Sequence, residues 1–278
     1  VPASRIKNII LALLLATNLF LLMLVLPARR AEQQREQAVR LNLQTLFESY
    51  GVELDPTLVP EDRTLYPLVL EYSEPEQSAA ATALLGSDAE EDTGVGHYTT
   101  VYRAAGGSCQ FSRVGGFSAE LTAQDSVSGD LTRAAERLLK KMGFDCATVD
   151  ESVRQSAGVY TVRAVQRIGG VSTFSAEMTL TYTNGVLSAM EGVFYTGSSD
   201  AQMAEETPCI ACTDALIAFL NSRETLGWVG SRIVSIEQGY SMTEMASAST
   251  VRLNPVWRIE TDTAVYEVNG LDGTVSAA

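Results

Sequence analysis

The chain has 278 residues, with 34 acidic against 20 basic side chains. Past residue 30 the balance is 16 basic to 34 acidic, a formal charge of −18. A body this acidic is repelled by nucleic acid and by anionic lipid headgroups, which sets nucleic-acid binding aside. Four cysteines (Cys109, Cys146, Cys209 and Cys212) are too few for a disulfide-built scaffold, although an even number permits one or two bridges.

Asn8 to Leu26 are nineteen consecutive positions without a charge. As a helix they span roughly 28 Å, close to the ~30 Å hydrocarbon core of a bilayer. A cleaved signal peptide shares the basic start, here Arg5 and Lys7, but its apolar region is shorter, and Arg29 and Arg30 just past a cut disfavour export. The run therefore reads as an uncleaved transmembrane anchor. Basic residues flank both ends, so the positive-inside rule gives no clean vote. A short N-terminal stub with the bulk exported is the common arrangement, which puts the body outside the cytoplasm at the cell membrane. Within the run, Ala12 and Ala16 are small at i and i+4, and Thr17 and Asn18 are polar. Such residues favour helix–helix contact in lipid, although a shallow polar residue can be tolerated without a partner.

Residues 31–50 predict a second helix, with Val39, Leu43, Leu46, Phe47 and Tyr50 on one face and Gly51 as its stop. It either docks on the following body or pairs as a stalk with another stalk, a homodimer included. Leu65–Tyr72 reads as a strand, and Pro75–Leu85 as a short helix ending at Gly86. Ser87–Gly96 is an acidic loop without the ligand spacing of a calcium site. Strands are predicted at Tyr98–Arg103, Cys109–Val114 and Phe117–Ala123. A helix follows with Asp130 as N-cap, Leu131, Ala134, Ala135, Leu138 and Met142 as its apolar face, and Lys140 and Lys141 at its negative end. Three strands come next, at Tyr160–Ile168, Val171–Thr183 and Val186–Tyr195, the last two joined by the hairpin signal Asn184-Gly185. The order then recurs. Thr207-Pro208 predicts a helix start and Glu224 its end, before strands at Ile233–Tyr240, Thr250–Thr261, Ala264–Val268 and Thr274–Ser276.

The pattern is α+β: an N-terminal transmembrane helix, then tandem units of a helix and an antiparallel β-meander. It divides into an anchor at 1–27, a juxtamembrane helix at 28–51, and three extracytoplasmic units at 52–127, 128–200 and 201–278.

Chemistry is sparse. Cys209-Ile-Ala-Cys212 at a helix start would gain thiolate character. Yet with Leu216 and Phe219 the pair falls on a core-facing stripe. Buried structural thiols, a local disulfide and a thiol-based envelope enzyme all stay open in that order. Zinc lacks the further ligands it needs. His97 is the only histidine, so no Ser-His or Cys-His arrangement can be built elsewhere, and it reads as a surface residue. Lys140 and Lys141 lie at a helix end, with no Ser-x-x-Lys to make a serine–lysine protease. No catalytic, cofactor or metal residue is singled out, and the chain is read as non-enzymatic.

The segments Ser4-Arg5-Ile6-Lys7-Asn8-Ile9-Ile10 and Thr17-Asn18-Leu19-Phe20-Leu21 resemble the N-terminal anchor of the YycH/YycI family. Leu253-Asn254-Pro255-Val256-Trp257-Arg258-Ile259, Tyr266-Glu267-Val268-Asn269-Gly270 and Asp272-Gly273-Thr274-Val275 resemble the same family, its YycI branch in particular, and the closing hairpin of PepSY-type domains. The resemblance implies a non-enzymatic regulator beside a membrane sensor histidine kinase that governs cell-wall metabolism. It also implies a sister regulatory protein as partner, with contact through transmembrane helices at Asn18 and its neighbours. Two alternatives stand beside it: a PepSY-type binding or inhibitory module for a secreted partner, and the thiol enzyme.

Overall fold

The computed structural model describes residues 3–92, 98–122, 126–127, 129–150, 152–247 and 250–278, without the side chains of 3–10, 12, 24–33, 36, 147–148 and 244–247. His97, Ala123 and most of the acidic loop's second half lie outside the described residues.

One helix, α1 (Ala3–Ser49), runs 47 residues, so the apolar run and the juxtamembrane segment form a single element. At 1.5 Å per residue it is roughly 70 Å long. Its last turns dock: Leu43 and Phe47 are buried, whereas Val39 and Tyr50 from the expected face stay largely exposed. A strap follows, with a 3-10 turn at Pro56–Leu58 whose Thr57 N–H donates to Asp55 Oδ1 at 2.8 Å. The strand expected over Leu65–Tyr72 is shorter, β1 (Leu68–Glu71), because the backbone at Leu65 bonds instead to the Cys209 N–H. Helix α2 (Glu74–Leu85) carries Pro75 in its first turn and is capped by Ser73.

The acidic loop contributes an edge strand, β2 (Glu90–Asp92), ahead of the meander β3 (Thr99–Ala104), β4 (Gly107–Ser112) and β5 (Gly116–Leu121). Helix α3 (Leu131–Lys141) has the expected cap, Arg133 N–H donating to Asp130 Oδ1, and buries Ala135 and Leu139 most deeply. Two short strands not expected from the sequence follow, β6 (Cys146–Val149) and β7 (Val153–Ser156). They line the edge of β8 (Val159–Ile168), which pairs with β9 (Val171–Thr183), and β9 turns into β10 (Val186–Val193). At that turn Asn184 and Gly185 both hold positive φ, 52° and 79°, which the hairpin demands.

After the two-residue strand β11 (Gln202–Met203) comes a correction. Helix α4 spans Cys212–Asn221 and does not start at Pro208. Cys209 and Ile210 lie before the helix, their N–H groups donating to the Leu65 and Gly270 carbonyls. A one-turn helix, α5 (Arg223–Leu226), completes the expected span. The chain closes with β12 (Ile233–Ser247), longer than expected, β13 (Thr250–Thr261), β14 (Val265–Asn269) and β15 (Val275–Ala277).

The strands join in the order β11-β1-β13-β12-β9-β10-β5-β4-β3-β2, with β8 on β9 and β14 on β13. Helices α2 and α3 cover the β3–β10 part. Phe111, Phe117, Phe144 and Phe194 stack there with Met178, Leu180 and Leu139. Helix α4 and the base of α1 cover the β12–β14 part, around Phe47, Phe219, Trp257 and Ile259. A smaller cluster of Leu70, Ile168, Tyr195, Tyr240 and Leu253 fills the seam between the two. Strand β1, from residues assigned to the first unit, pairs with β13 from the third.

Candidate functional site

From Leu11 to Met23, nine large apolar side chains of α1 are exposed by 48–70%. Leu19, Phe20, Leu21 and Leu22 cover a full helical turn, so the apolar surface faces every direction. Soluble surfaces rarely carry so much contiguous apolar area, and a helix apolar all round is normally enclosed by protein or lipid. Ala16, Thr17 and Asn18 are exposed within this stretch, and the Ala12 side chain lies outside the described set. The Thr17 hydroxyl donates to the Leu13 carbonyl in its own helix at 2.9 Å, which satisfies it locally. The exposed Asn18 amide has no side-chain hydrogen bond among the described residues. Among the described residues no helix is long and apolar enough to cross a membrane.

The base of α1 is tied to the body at several points. Phe47 is fully buried against α4, and the Arg223 guanidinium donates to the Tyr50 carbonyl at 2.7 Å while stacking over Trp228. From Leu26 to Leu43, the first buried position among the described residues, is seventeen residues, roughly 25 Å of helix. The strap then runs beside α4 and β12. Asp62 Oδ1 accepts the Cys212 N–H at 2.8 Å and so caps α4 from 150 residues away. Gln238 grips both backbone groups of Arg63, at 3.0 and 2.9 Å. Sequence reasoning singled out neither Asp62 nor Gln238, because nothing local to either residue signals a partner so distant in the chain.

The structure places Cys209 and Cys212 beside this strap, and all four cysteines are free thiols in it. Burial pushes the Cys212 thiol up to about 12, with the Asp62 charge adding to the rise. Burial also raises Cys209, opposed by its contacts with Gln238 and Trp257. Cys109 is pushed to about 12 and Cys146 to about 11, again by burial first. Since the thiolate is the nucleophile, this environment works against thiol chemistry, and Cys209 precedes the helix instead of sitting in its first turn. Among the described residues no three His, Cys, Asp or Glu groups converge as a metal site.

No protein-family model and no curated protein matches the chain. Among solved structures it is similar to the Bacillus megaterium YpeB C-terminal domain, with a TM-score of 0.40 and 12% identity, over 75% of this chain and 98% of that one.

Proposed function

We propose that this chain is a membrane-anchored, extracytoplasmic regulatory module that acts by protein–protein contact and has no catalysis of its own. The observation that carries the reading is α1: an apolar surface open on all sides, continuous with a base locked into the body at Phe47. A bilayer encloses such a surface, and an unbroken helix makes the body move with whatever the buried segment contacts. The resemblance to the YycH/YycI family supplies the partner, a cell-envelope sensor histidine kinase, with a sister regulator beside it. Asn18 is the residue through which α1 engages a neighbouring helix, because an amide in hydrocarbon gains a hydrogen bond there that lipid cannot offer.

The test is co-purification of the intact protein with a membrane histidine kinase, repeated for Asn18→Leu and for Ala12→Leu with Ala16→Leu. An interhelical amide bond worth about 0.6–2 kcal/mol predicts a roughly three- to thirtyfold loss of kinase for Asn18→Leu. Absence of any kinase, or full recovery with both variants, removes the reading's support. The PepSY-type binding module is the second reading, favoured by open clefts along the seam of the sheet. It works with any anchor, so replacing residues 8–26 by a generic poly-leucine span separates the two.

A further inference from the structure

Strands β9 and β12 run parallel but meet at one register pair, Tyr240 opposite Thr173. On one side of that pair the Met242 N–H donates to Ser175 Oγ at 2.9 Å. On the other, Gly239 lies against Ser172 so closely that a Cβ there would stand 2.6 Å from the Ser172 carbonyl oxygen. Beyond Gly239 the strands part. At Val171 and Ser172 one edge of β9 is taken by β8, and from Ile233 to Gly239 one edge of β12 is taken by β13; on the other edge the Glu53 carbonyl accepts the Ile233 N–H, so the open stretch of β12 begins at Val234. Their facing edges carry no register pair there among the described residues. A cleft of about 540 Å³ opens between them, lined by Gly170–Ser172, Ile236–Gln238 and Pro60–Arg63. Ligand sites commonly run roughly 300–1,000 Å³.

The third wall is the strap, and it is fixed. Gln238 bonds both backbone groups of Arg63, and Asp62 is held at the start of α4. The cleft is therefore open while the strap is in place. Its lining sets three carboxylates, Glu61, Asp62 and Glu237, against the one guanidinium of Arg63. Asp62 is engaged with Cys212, whereas Glu61 and Glu237 are exposed and make no ion pair among the described residues. Arg258, opposite Glu237 on β13, is drawn over the Phe174 ring at 4.9 Å.

We propose that this cleft is a strand-addition site for an extended, basic peptide segment of a partner protein. The segment's backbone bonds the free edge of β12, which gives affinity without sequence. Its Lys or Arg side chains meet Glu61 and Glu237, which selects the charge. The site needs neither the bilayer nor a kinase and so stands apart from the anchored-regulator reading.

The test uses the full chain in nanodiscs and two fluorescein-labelled hexapeptides, one alternating Lys with Val and one alternating Glu with Val. Anisotropy is expected to detect the basic peptide alone, more weakly as salt rises. Glu61→Lys with Glu237→Lys, both exposed changes that leave the core untouched, is expected to weaken it on the order of tenfold. Hydrogen exchange is expected to slow at 171–172 and 234–238 on binding. Failure to bind either peptide, equal binding of both, binding indifferent to the charge reversal, or protection confined to the edges at β11 or β15 overturns the proposal.

Discussion

Phe47→Ala tests whether the N-terminal helix α1 and the body are one mechanical unit. Phe47 is 0% exposed and belongs to the core built by Leu43, Leu216, Phe219, Trp228 and Trp257. Truncating a fully buried phenylalanine costs about 3–5 kcal/mol, from lost transfer energy and the cavity left behind. A domain's whole stability is about 5–15 kcal/mol, so the change removes a large part of it. For a body of this size each kcal/mol lowers the melting temperature by roughly 2–4 °C, giving a fall of roughly 6–20 °C. The assay is thermal unfolding in detergent micelles followed by near-ultraviolet circular dichroism, with Leu41→Ala as control. Leu41 is 57% exposed on the same helix, and its truncation should stay within about 0.5 kcal/mol. If Phe47→Ala costs less than about 1 kcal/mol, the packing energy assigned to a fully enclosed ring is absent. The base of α1 is then not docked, and the proposal that the body follows the helix fails.

Asp62→Ala removes the distant cap of α4 and is expected to cost roughly 1 kcal/mol, read from urea midpoints, with exchange at the Cys212 amide accelerated. Asp262 is held below the ordinary carboxyl value of 3.8, first by the Ser231 backbone N–H. Its folded value is depressed, so its contribution is complete above pH 3.8 and is lost as pH falls through the folded value. Asp262→Asn should therefore lower stability at neutral pH, flatten the fall on the acid side, and leave stability at the lowest pH nearly unchanged. The four thiols, raised by burial, should resist maleimide at pH 8 in the native protein and react together on denaturation. Rapid native labelling of Cys212 would contradict its enclosure. Thr173 Oγ1 is buried without a hydrogen-bond partner among the described residues. Thr173→Val should be neutral or stabilising by up to roughly 2 kcal/mol, and destabilisation beyond about 1 kcal/mol would mean the hydroxyl is bonded.

What the sequence made legible was local. Asp130 and the lysine pair bracket α3 within one element, and Asn184-Gly185 carries its own backbone demand, so both were readable without knowing what surrounds them. The open apolar surface of α1 follows from composition alone. The start of α4 was not readable. A proline after threonine is a sound local signal for a helix, but Cys209 and Ile210 are claimed by carbonyls of Leu65 and Gly270, and that tertiary pairing overrides propensity. Strands β6 and β7 escaped for a related reason. Each is four residues on the edge of β8, too short for alternation to register. The seam cleft was invisible because its walls come from three segments that only the fold assembles.

The path of the strap explains why these separate features belong to one device. It leaves the base of α1 and buries Val59 in the core that holds Phe47. It then caps α4 through Asp62, is clamped to β12 through Gln238, and delivers Leu65 and Leu70 to the seam. The strap therefore joins the base of α1 to the α4 core and to the wall of the seam cleft through continuous contacts. At that seam the ladder between β9 and β12 is one pair wide, the least hydrogen-bonded join along the main path from β1 to β2. Elements linked by few backbone bonds shift at lower cost than those in a full ladder. If α1 and the cleft bind different partners, the strap is the physical route by which occupancy of one biases the other. The bias must be reciprocal, because a coupling free energy has no direction.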